Sequence, residues 1–490
     1  MKKTFLTIGV ALALLSTSSC DKEFLDVNED PNNPVVAPVE YVLPAAITST
    51  ASAVGGEYAI LGGIWSQYYT QNNGSSQYIS IDQFNIQPTS FNNRWTEQYA
   101  GALNDYRFVK EKAAAAKEWN AYLMATVMEA YNYQVLVDLY DRIPFDEAGQ
   151  GETKQNLSPA FRDGQAVYDS LVVRIDKALA LPVSGGVDAK LGKGDVVFNG
   201  DMQQWVRFAN TLKLKIYMRQ VYARPQVAEA GIKALYASGA EFLDEAADMA
   251  IFTDATSKRN PLYEMDQTTA LNSNQNLKAS NTFFSFLQVN NDPRLDKVYL
   301  PGSGGQKAMV QGTSGISTSQ LVPATVSRAL ILPTAPVYFI SEAESYFLQA
   351  EAALRGFGTG DAAALYSKGV DAAFEQIGSE RMNLYPYPAN GSFEDRLETI
   401  IVQKWASFAG TYQGLEAFLE RNRTGYPETS EVAATNAAYQ PGEFTYPVEG
   451  ITSGKLFPTR LPWPQDEVQR NPNAPQTPEP ITKPVWWDVK

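Results

Sequence analysis

The sequence predicts a mainly α-helical protein in which helix hairpins form a frame and irregular, loop-rich lobes lie over it. Three observations lead to this prediction. Several long segments repeat apolar residues at steps of three or four, which is the helical period. Residues 341–378 carry the caps and small residues of two packed helices. Residues 253–335 and 424–490 are too rich in turn-forming residues to continue such helices. Within the first of these, LNSNQNLKASNTFF and PGSGGQKAMVQGTSGISTSQ are expected to be too polar for the core.

The first 19 residues have the order of a secretory signal peptide. Lys2 and Lys3 precede the apolar run FLTIGVALALL, and the small residues STSS lead to Cys20. The run is shorter than the roughly 20 apolar residues that a membrane-spanning helix needs. A signal ending at a cysteine resembles a bacterial lipoprotein signal, in which the cysteine receives lipid and becomes the mature N-terminus, although Thr17 stands where such signals commonly have Leu. An ordinary cleaved signal with an incidental cysteine is the alternative.

Residues 20–38 predict a lipidated, flexible tether, because they are rich in acids and prolines. Acids directly behind a lipidated cysteine resemble the tag that sends some lipoproteins to the cell surface. We therefore expect a chain anchored at the outer membrane and facing outward. Residues 39–490 are expected to form a single domain.

The frame begins with two strongly periodic segments. Residues 118–139 are apolar around most of the helix circumference, which predicts a deeply buried helix that ends before Pro144. Residues 203–222 predict a second helix, and AEAGIKALYASGAEFL follows across a short turn.

Residues 341–378 predict the clearest helix hairpin. Ser341 is the expected N-cap, with Glu344 closing a capping box, and Gly356 ends the first helix. The second helix is expected from Asp361. Small and aromatic residues follow tetratricopeptide-like spacing, so partner hairpins are expected near 97–140, 160–182 and 203–238.

Composition excludes several functional classes. The chain has no histidine, one cysteine and a net charge of −14. A histidine base, a histidine-ligated metal and a catalytic triad with histidine are therefore absent. An acidic surface also argues against nucleic acid as a partner. Carboxylate chemistry, as in a glycoside hydrolase, stays open. No compact acidic or nucleotide-binding motif stands out, so no catalytic residue, metal ligand or cofactor is predicted.

Four stretches together resemble the SusD/RagB family of nutrient-binding outer membrane lipoproteins. They are DLYDRIPFDEA at 138–148, QQWVRFANTLKLKIYMR at 203–219, NDPRLDKVYLP at 291–301, and QKWASFAGTYQGLEAFLERNRTGYP at 403–427 followed by RLPWPQDEVQRNPNAP at 460–475. With the lipoprotein-like start and the hairpin at 341–378, the resemblance covers nearly the whole chain.

The resemblance implies a SusD-like helical fold and a function without chemistry. Family members sit as a lid over a SusC/RagA-type TonB-dependent transporter and capture oligosaccharides or, in some members, peptides. This would make the lipid on Cys20 the membrane attachment. A carboxylate-dependent glycoside hydrolase and a tetratricopeptide interaction scaffold are the alternatives from other classes.

The family-like motifs themselves are expected to be structural. We expect Arg421, Arg423 and Arg460 to hold acids such as Glu416, Glu420 or Glu467 in buried ion pairs. Asn291, Asp292 and Arg294 are expected to pin a turn, and Trp405 is expected in the core.

Ligand contacts are therefore expected from two other segments, 65–78 and 263–276. Aromatic rings can stack on a sugar face while amides bond its hydroxyl groups. The candidates are Trp65, Tyr69, Asn73, Tyr78, Tyr263, Asn272 and Asn276. Tyr78 and Tyr263 are expected to be the more exposed rings, because their neighbours are polar. The competing interpretations are a core role for Trp65 and Tyr69 and a flexible surface loop for the asparagines.

Overall fold

The computed structural model of the protein describes residues 37–268 and 275–490. The predicted signal, Cys20, most of the predicted tether and Asn272 lie outside these residues. No helix in the described part of the chain is long and apolar enough to cross a membrane.

The described chain is mainly helical. The helices are α1 Val39–Val54, α2 Glu57–Trp65, α3 Ile79–Asp82, α4 Asn92–Glu97, α5 Asn104–Ala116, α6 Trp119–Tyr140, α7 Gly151–Lys154, α8 Gly164–Leu179, α9 Met202–Arg219, α10 Pro225–Ala237, α11 Pro261–Asp266, α12 Asn281–Val289, α13 Leu295–Val298, α14 Glu342–Leu354, α15 Ala362–Glu375, α16 Phe393–Gly410, α17 Gly414–Thr424 and α18 Gln465–Arg470. A π-helical turn, Gln98–Leu103, joins α4 to α5.

The strands are short and mostly antiparallel. They are β1 Tyr69–Gln71, β2 Arg142–Pro144, β3 Phe161–Asp163, β4 Ala247–Met249, β5 Leu277–Ala279, β6 Tyr299–Leu300, β7 Arg328–Ala329 and β8 Val337–Ile340. One sheet has the order β1-β5-β7-β6, and β2-β3 and β4-β8 form two pairs.

Helix α6 lies at the centre of the frame, as its all-round apolar pattern predicts. Nearly every residue from Ala121 to Tyr140 is buried. Helices α5, α8 and α9 all pack against it. The helix ends at Tyr140, and Pro144 lies in the strand that follows.

The predicted hairpin is present as α14 and α15. The Ser341 side chain accepts a hydrogen bond from the Glu344 N–H at 3.2 Å, which confirms the N-cap. The Glu344 carboxylate instead binds Lys215, so it does not close the expected capping box. A Cβ on Gly369 would lie 2.9 Å from the Phe347 ring, so glycine permits the close approach of the two helices.

A buried ionic cluster ties five helices together. Its cations are Lys215, Arg219, Lys404 and Arg423, and its acids are Asp138, Glu344, Glu351, Glu416 and Glu420. Lys215 lies 2.9 Å from both Glu344 and Glu416. Although burial opposes ionisation, Arg423, Lys404 and Arg219 hold the pKa of Glu420 well below its usual value. The cluster joins α6, α9, α14, α16 and α17, and it is part of the frame.

The arginine predictions are correct in part. Arg423 pairs with Glu420 and also with Glu351. Arg460 pairs with Glu479 rather than with the expected acids. The expectation for Arg421 is wrong: its guanidinium donates to the Pro427 carbonyl and the Thr429 hydroxyl and stacks on Phe444 and Phe457.

The turn prediction is confirmed for Asp292 and Arg294, and the core prediction is confirmed for Trp405. Asp292 accepts hydrogen bonds from the Arg294 backbone and guanidinium at the start of α13, which pins the turn. Trp405 is 2% exposed and packs edge-on against Phe283 at 4.9 Å between ring centres.

The stretch 253–335 contributes more to the core than its polar sequence suggests. Leu277, Ala279 and Phe283 are fully buried, so the expectation that this segment is too polar for the core is wrong. The β5 backbone satisfies its polar groups in the sheet, which allows the alternate side chains to enter the core. Residues 424–490 form an irregular segment that contains α18. This segment also contributes to the core, because Phe444, Leu461 and Trp487 are fully buried.

Candidate functional site

The structure brings together the two segments in which ligand contacts are expected. Strand β1 pairs with β5, with Tyr69 opposite Ala279. The Asn72 N–H donates to the Asn276 carbonyl at 2.9 Å, and the Asn276 side-chain amide donates to Gln77 Oε1 at 2.7 Å. The Tyr78 hydroxyl also donates to the Met265 carbonyl of α11 at 3.2 Å. Segments almost 200 residues apart therefore form one surface.

The loop after β1 is folded around one amide side chain. Gln71 Nε2 donates to the carbonyls of Asn72 and Ser75 at 2.9 and 3.0 Å, and Gln71 Oε1 accepts from the Tyr78 N–H at 2.7 Å. These bonds close residues 72–78 into a compact turn before α3. The turn holds Gln77 exposed on the surface.

Three candidate aromatics are core residues, which agrees with the core interpretation of Trp65 and Tyr69 and corrects the expected exposure of Tyr78. Trp65 is 2% exposed and packs against Phe418 with ring centres 4.9 Å apart. Tyr69 is 1% exposed, and Tyr78 is 5% exposed despite its polar neighbours in sequence. The polar neighbours of Tyr78 face outward in the turn, while its own ring points inward against the core. These rings offer little free face for a ligand, and their role in binding stays a prediction.

Tyr263 and Asn73 take positions different from those expected. Tyr263 is half-buried, and the Arg259 guanidinium lies 5.7 Å from its ring centre. It lies on α11, two residues before Met265, and packs against the core. Asn73 Nδ2 donates to the carbonyls of Ile316 and Leu321, which fastens the turn to a neighbouring loop.

An open depression of about 250 Å³ lies beside Tyr78. It is lined by Glu57, Ile60, Gln77, Tyr78, Ser80, Ile81, Ile86, Ser90, Phe91 and Met265. This lining combines an aromatic edge and apolar walls with hydroxyl and amide groups. Such a surface can hold a flat polar ligand with apolar faces, because it offers both contact area and hydrogen-bonding groups. Asn276 lies directly behind Gln77.

Four charged or amide residues next to this surface were not among the predicted site residues: Asp266, Gln267, Lys278 and Arg328. Asp266 is buried and accepts from the Asn276 and Leu277 N–H groups and from Gln267 Nε2. Arg328 donates to Gln267 Oε1 at 2.9 Å. Lys278 stands opposite Arg328 across β5 and β7. Only the pairing of β5 with β7 brings these residues together, so no local pattern in the sequence marks them.

The buried acids near the site have raised pKa values. Burial raises the pKa of Asp266 to about 6, against the hydrogen bonds it accepts from Asn276, Gln267 and Leu277. Burial likewise raises the pKa of Asp82, which lies under the turn, to about 7. The pKa of Lys278 is lowered by burial and then by the neighbouring Arg328.

A family model described as starch-binding and associating with the outer membrane matches residues 31–447. The chain belongs to this SusD-like family. The prediction of family and fold class is thereby confirmed. No curated protein matches the chain at a significant level.

Solved SusD-like structures share the fold over almost the whole chain. A SusD homologue from Bacteroides uniformis is 22% identical, with a TM-score of 0.74, over 92% of this chain and 100% of that one. A chitin-binding SusD homologue from Flavobacterium johnsoniae is 20% identical, with a TM-score of 0.74, over 91% and 98%. A SusD-like protein from Bacteroides thetaiotaomicron is 20% identical, with a TM-score of 0.73, over 92% and 99%.

Within the described part of this SusD-like chain, no group of three or more acidic, histidine or cysteine side chains is arranged to hold a metal ion. The depression beside Tyr78 is lined by apolar, hydroxyl and amide side chains and by one acid, Glu57. Asn276 is fully buried next to Gln77, so it is not a surface residue.

Proposed function

We propose that the protein binds oligosaccharides at the outer face of the outer membrane and passes them to a SusC-like TonB-dependent transporter. In this proposal a lipid on Cys20 holds the protein at the membrane. The family match over residues 31–447 carries the proposal, because the family is described as starch-binding and associated with the outer membrane. Two similar structures are also described as chitin-binding. A peptide is the alternative ligand.

The geometry of the depression beside Tyr78 supports binding without catalysis. Glycoside hydrolases position two carboxyl groups about 5–5.5 Å or about 6.5–9.5 Å apart. The residues that line this depression include one acid, Glu57. Its carboxylate pairs with Arg94 at 3.3 Å.

The carboxylates of the buried ionic cluster are also poor candidates for catalysis. Glu416 and Asp138 border a cavity of only about 30 Å³, and each is paired with Arg219. A cavity of this size holds about one water molecule and cannot admit a sugar. These acids therefore support the frame in our proposal.

Binding and turnover can be tested with one set of ligands. Purified mature protein is mixed with malto-oligosaccharides, chito-oligosaccharides and short peptides, and affinity is measured by calorimetry. Mass spectrometry of the same mixtures after long incubation measures cleavage. We expect saturable binding of an oligosaccharide that is recovered intact. Accumulating cleavage products would favour the hydrolase, and binding confined to peptides would change the ligand class.

The transporter partner is tested separately in the native membrane. We expect a barrel-forming TonB-dependent transporter to copurify with the affinity-tagged full-length protein after mild detergent extraction. Recovery of the tagged protein alone, under conditions that preserve other outer membrane complexes, would contradict this part of the proposal.

A further inference from the structure

A row of paired side chains crosses the four-stranded sheet next to the candidate site. Thr70 stands opposite Lys278, Lys278 opposite Arg328, and Arg328 opposite Leu300. Directly paired residues of antiparallel strands project from the same face, with Cβ atoms roughly 4.5–5.5 Å apart. Lys278 and Arg328 are therefore side by side. Like charges in this position repel each other, so the pair needs a compensating interaction.

Neither cation is neutralised by an ion pair within residues 37–268 and 275–490. Lys278 is 5% exposed, and its ammonium has no hydrogen bond or ion pair in this part of the chain. Arg328 is half-buried, and its guanidinium bonds to the neutral amide of Gln267. Buried charged side chains are normally paired, because an unpaired charge loses its hydration without compensation.

The nearest acid is already occupied by other donors. Both Asp266 oxygens accept hydrogen bonds, one from the Asn276 and Leu277 N–H groups and the other from Gln267. Asp266 attracts Lys278 electrostatically, but among the described residues no ion pair joins the two side chains. The positive charge of the Lys278–Arg328 pair is thus left without a direct partner.

The cation pair borders the amide surface of the site. Side chains two residues apart along an extended strand lie on the same face, so Asn276 and Lys278 project the same way. The Asn276 amide contacts Gln77, which lines the depression beside Tyr78. The cations do not line the depression itself, so a ligand would have to extend beyond it, past Asn276, to reach them.

We propose that Lys278 and Arg328 bind an acidic group, a carboxylate or a sulfate ester, of the oligosaccharide that the protein captures. This inference rests on the proposed function and narrows its ligand class to anionic glycans. An anionic oxygen between the two cations would offset their mutual repulsion and give the Lys278 ammonium an acceptor. The protein as a whole carries a net charge of −14, so the attraction must be local to this pair.

Matched acidic and neutral glycans provide the test. The probes are oligogalacturonate and its methyl ester, and chondroitin sulfate oligosaccharides and their desulfated forms, printed with neutral malto- and chito-oligosaccharides on one array. Full-length mature wild-type protein is compared with Lys278→Met and Arg328→Met. Lys307→Met is the control, because Lys307 is an exposed cation of the same segment.

We expect wild-type protein to bind an acidic member of a matched pair more tightly than its neutral form. The preferred partner, carboxylated or sulfated, identifies which anion the pair accepts. Lys278→Met and Arg328→Met should each weaken that binding about tenfold to a hundredfold, the loss expected for a charge-assisted hydrogen bond. Lys307→Met should leave it unchanged.

The melting temperature of each variant shows whether the variant is folded. Lys278→Met keeps the length of the side chain and removes an unpaired buried charge, so its melting temperature should not fall. A folded Lys278→Met or Arg328→Met variant that binds the acidic glycan like wild type would overturn the inference. Preference for neutral glycans would also overturn it and leave the proposed function intact. Failure to bind any glycan would contradict both.

Discussion

Tyr78 is expected from its sequence neighbours to be exposed, but the structure buries its ring. Its neighbours Ser75, Ser76 and Gln77 are polar, yet its ring is 5% exposed and its hydroxyl donates to the Met265 carbonyl. The turn around Gln71 directs Gln77 outward and Tyr78 inward. A loss of affinity in Tyr78→Ala would therefore be hard to separate from a loss of packing. Gln77 is the better probe of the surface.

We expect Gln77→Ala to weaken oligosaccharide binding and to cost about 0.5–1.5 kcal/mol of stability, because the Asn276 amide loses its acceptor. The side chain is exposed, and an amide hydrogen bond contributes about 0.5–1.5 kcal/mol, or up to about tenfold in affinity. Trp405→Ala is the contrasting variant, because truncating a buried aromatic costs about 3–5 kcal/mol of stability. Calorimetric affinity and denaturant unfolding measure the two effects. Unchanged affinity in Gln77→Ala would place the ligand elsewhere.

Asp82 should make stability depend on pH. Burial raises its pKa to about 7, while an unfolded aspartate titrates near about 3.9. Between these values the folded protein keeps a proton that the unfolded chain has lost. Raising the pH through this window therefore lowers the free energy of unfolding, by on the order of 4 kcal/mol in total.

The Asp82→Asn variant isolates this contribution. An asparagine keeps an oxygen that can accept from Thr70 and Gln311, but it cannot titrate. Urea unfolding at about pH 4.5 and about pH 7.5 should show a smaller loss of stability in the variant than in wild type. Equal losses in both proteins would mean that Asp82 stays charged in the folded state.

Among the helices and strands, hydrophobic periodicity predicted which segments form the helical frame. It did not predict which charged side chains on different helices pair with each other. Helix α6 is apolar on all sides, so its deep burial follows from its own sequence. Lys215 and Arg219 also lie on a clearly periodic helix, but a charged residue there suggests a solvent-facing side. They are buried because acids on α14 and α17 surround them. Such pairing depends on contacts between distant segments and has no local sequence pattern.

For the candidate site, the sequence predicted two segments but not how their side chains are arranged. The amides and aromatics of 65–78 and 263–276 indicated the region, and the structure joins these segments through β1 and β5. Which rings enter the core depends on turn geometry, as at Tyr78. Lys278 and Arg328 meet through pairing of strands 50 residues apart, which no spacing in the sequence reveals.

The α14–α15 hairpin should be sensitive to side-chain volume at Gly369. An added Cβ would lie 2.9–3.1 Å from three carbons of the buried Phe347 ring. We expect Gly369→Val to lower the free energy of unfolding by about 1–3 kcal/mol through overpacking. Gly185→Val is the control, because nothing lies within 4 Å of its added Cβ. Equal stability of the two variants would show that the helices can separate without cost.

Arg423 should be one of the most sensitive positions in the ionic cluster. Its guanidinium makes two bonds to Glu351, at 2.6 and 2.8 Å, and also contacts Glu420. Arg423→Met removes these bonds and leaves acids buried with fewer partners, at a cost of about 3–5 kcal/mol. Lys233→Met breaks an exposed helical pair with Glu229 and should cost about 1 kcal/mol or less. Denaturant unfolding compares them, and similar small losses would mean that the cluster tolerates an unpaired acid.

In the molecule as a whole, the proposed lipid anchor at Cys20 is separated from the folded domain that carries the candidate site. The described fold begins at residue 37, and α1 packs against α5 and α6 in the frame. The proposed attachment at Cys20 precedes it by a stretch rich in acids and prolines. An extended segment of this length reaches roughly 50 Å, at about 3.3 Å for each residue. This reach would let the domain move over a transporter while staying attached.

Lipidation at Cys20 predicts a specific change in cellular location. Cys20→Ala removes the only thiol in the chain, so no other cysteine can take the lipid. We expect the variant to appear in soluble fractions or to accumulate as the uncleaved precursor, while wild type sediments with the outer membrane. Because a lipid chain inserts through apolar contacts, wild type should remain bound after a high-salt wash that removes electrostatically attached proteins. Immunoblots of the fractions and mass spectrometry of the mature N-terminus report both outcomes. A Cys20→Ala protein that still sediments with washed outer membranes at wild-type levels would show that a protein contact, and not the lipid, provides the attachment.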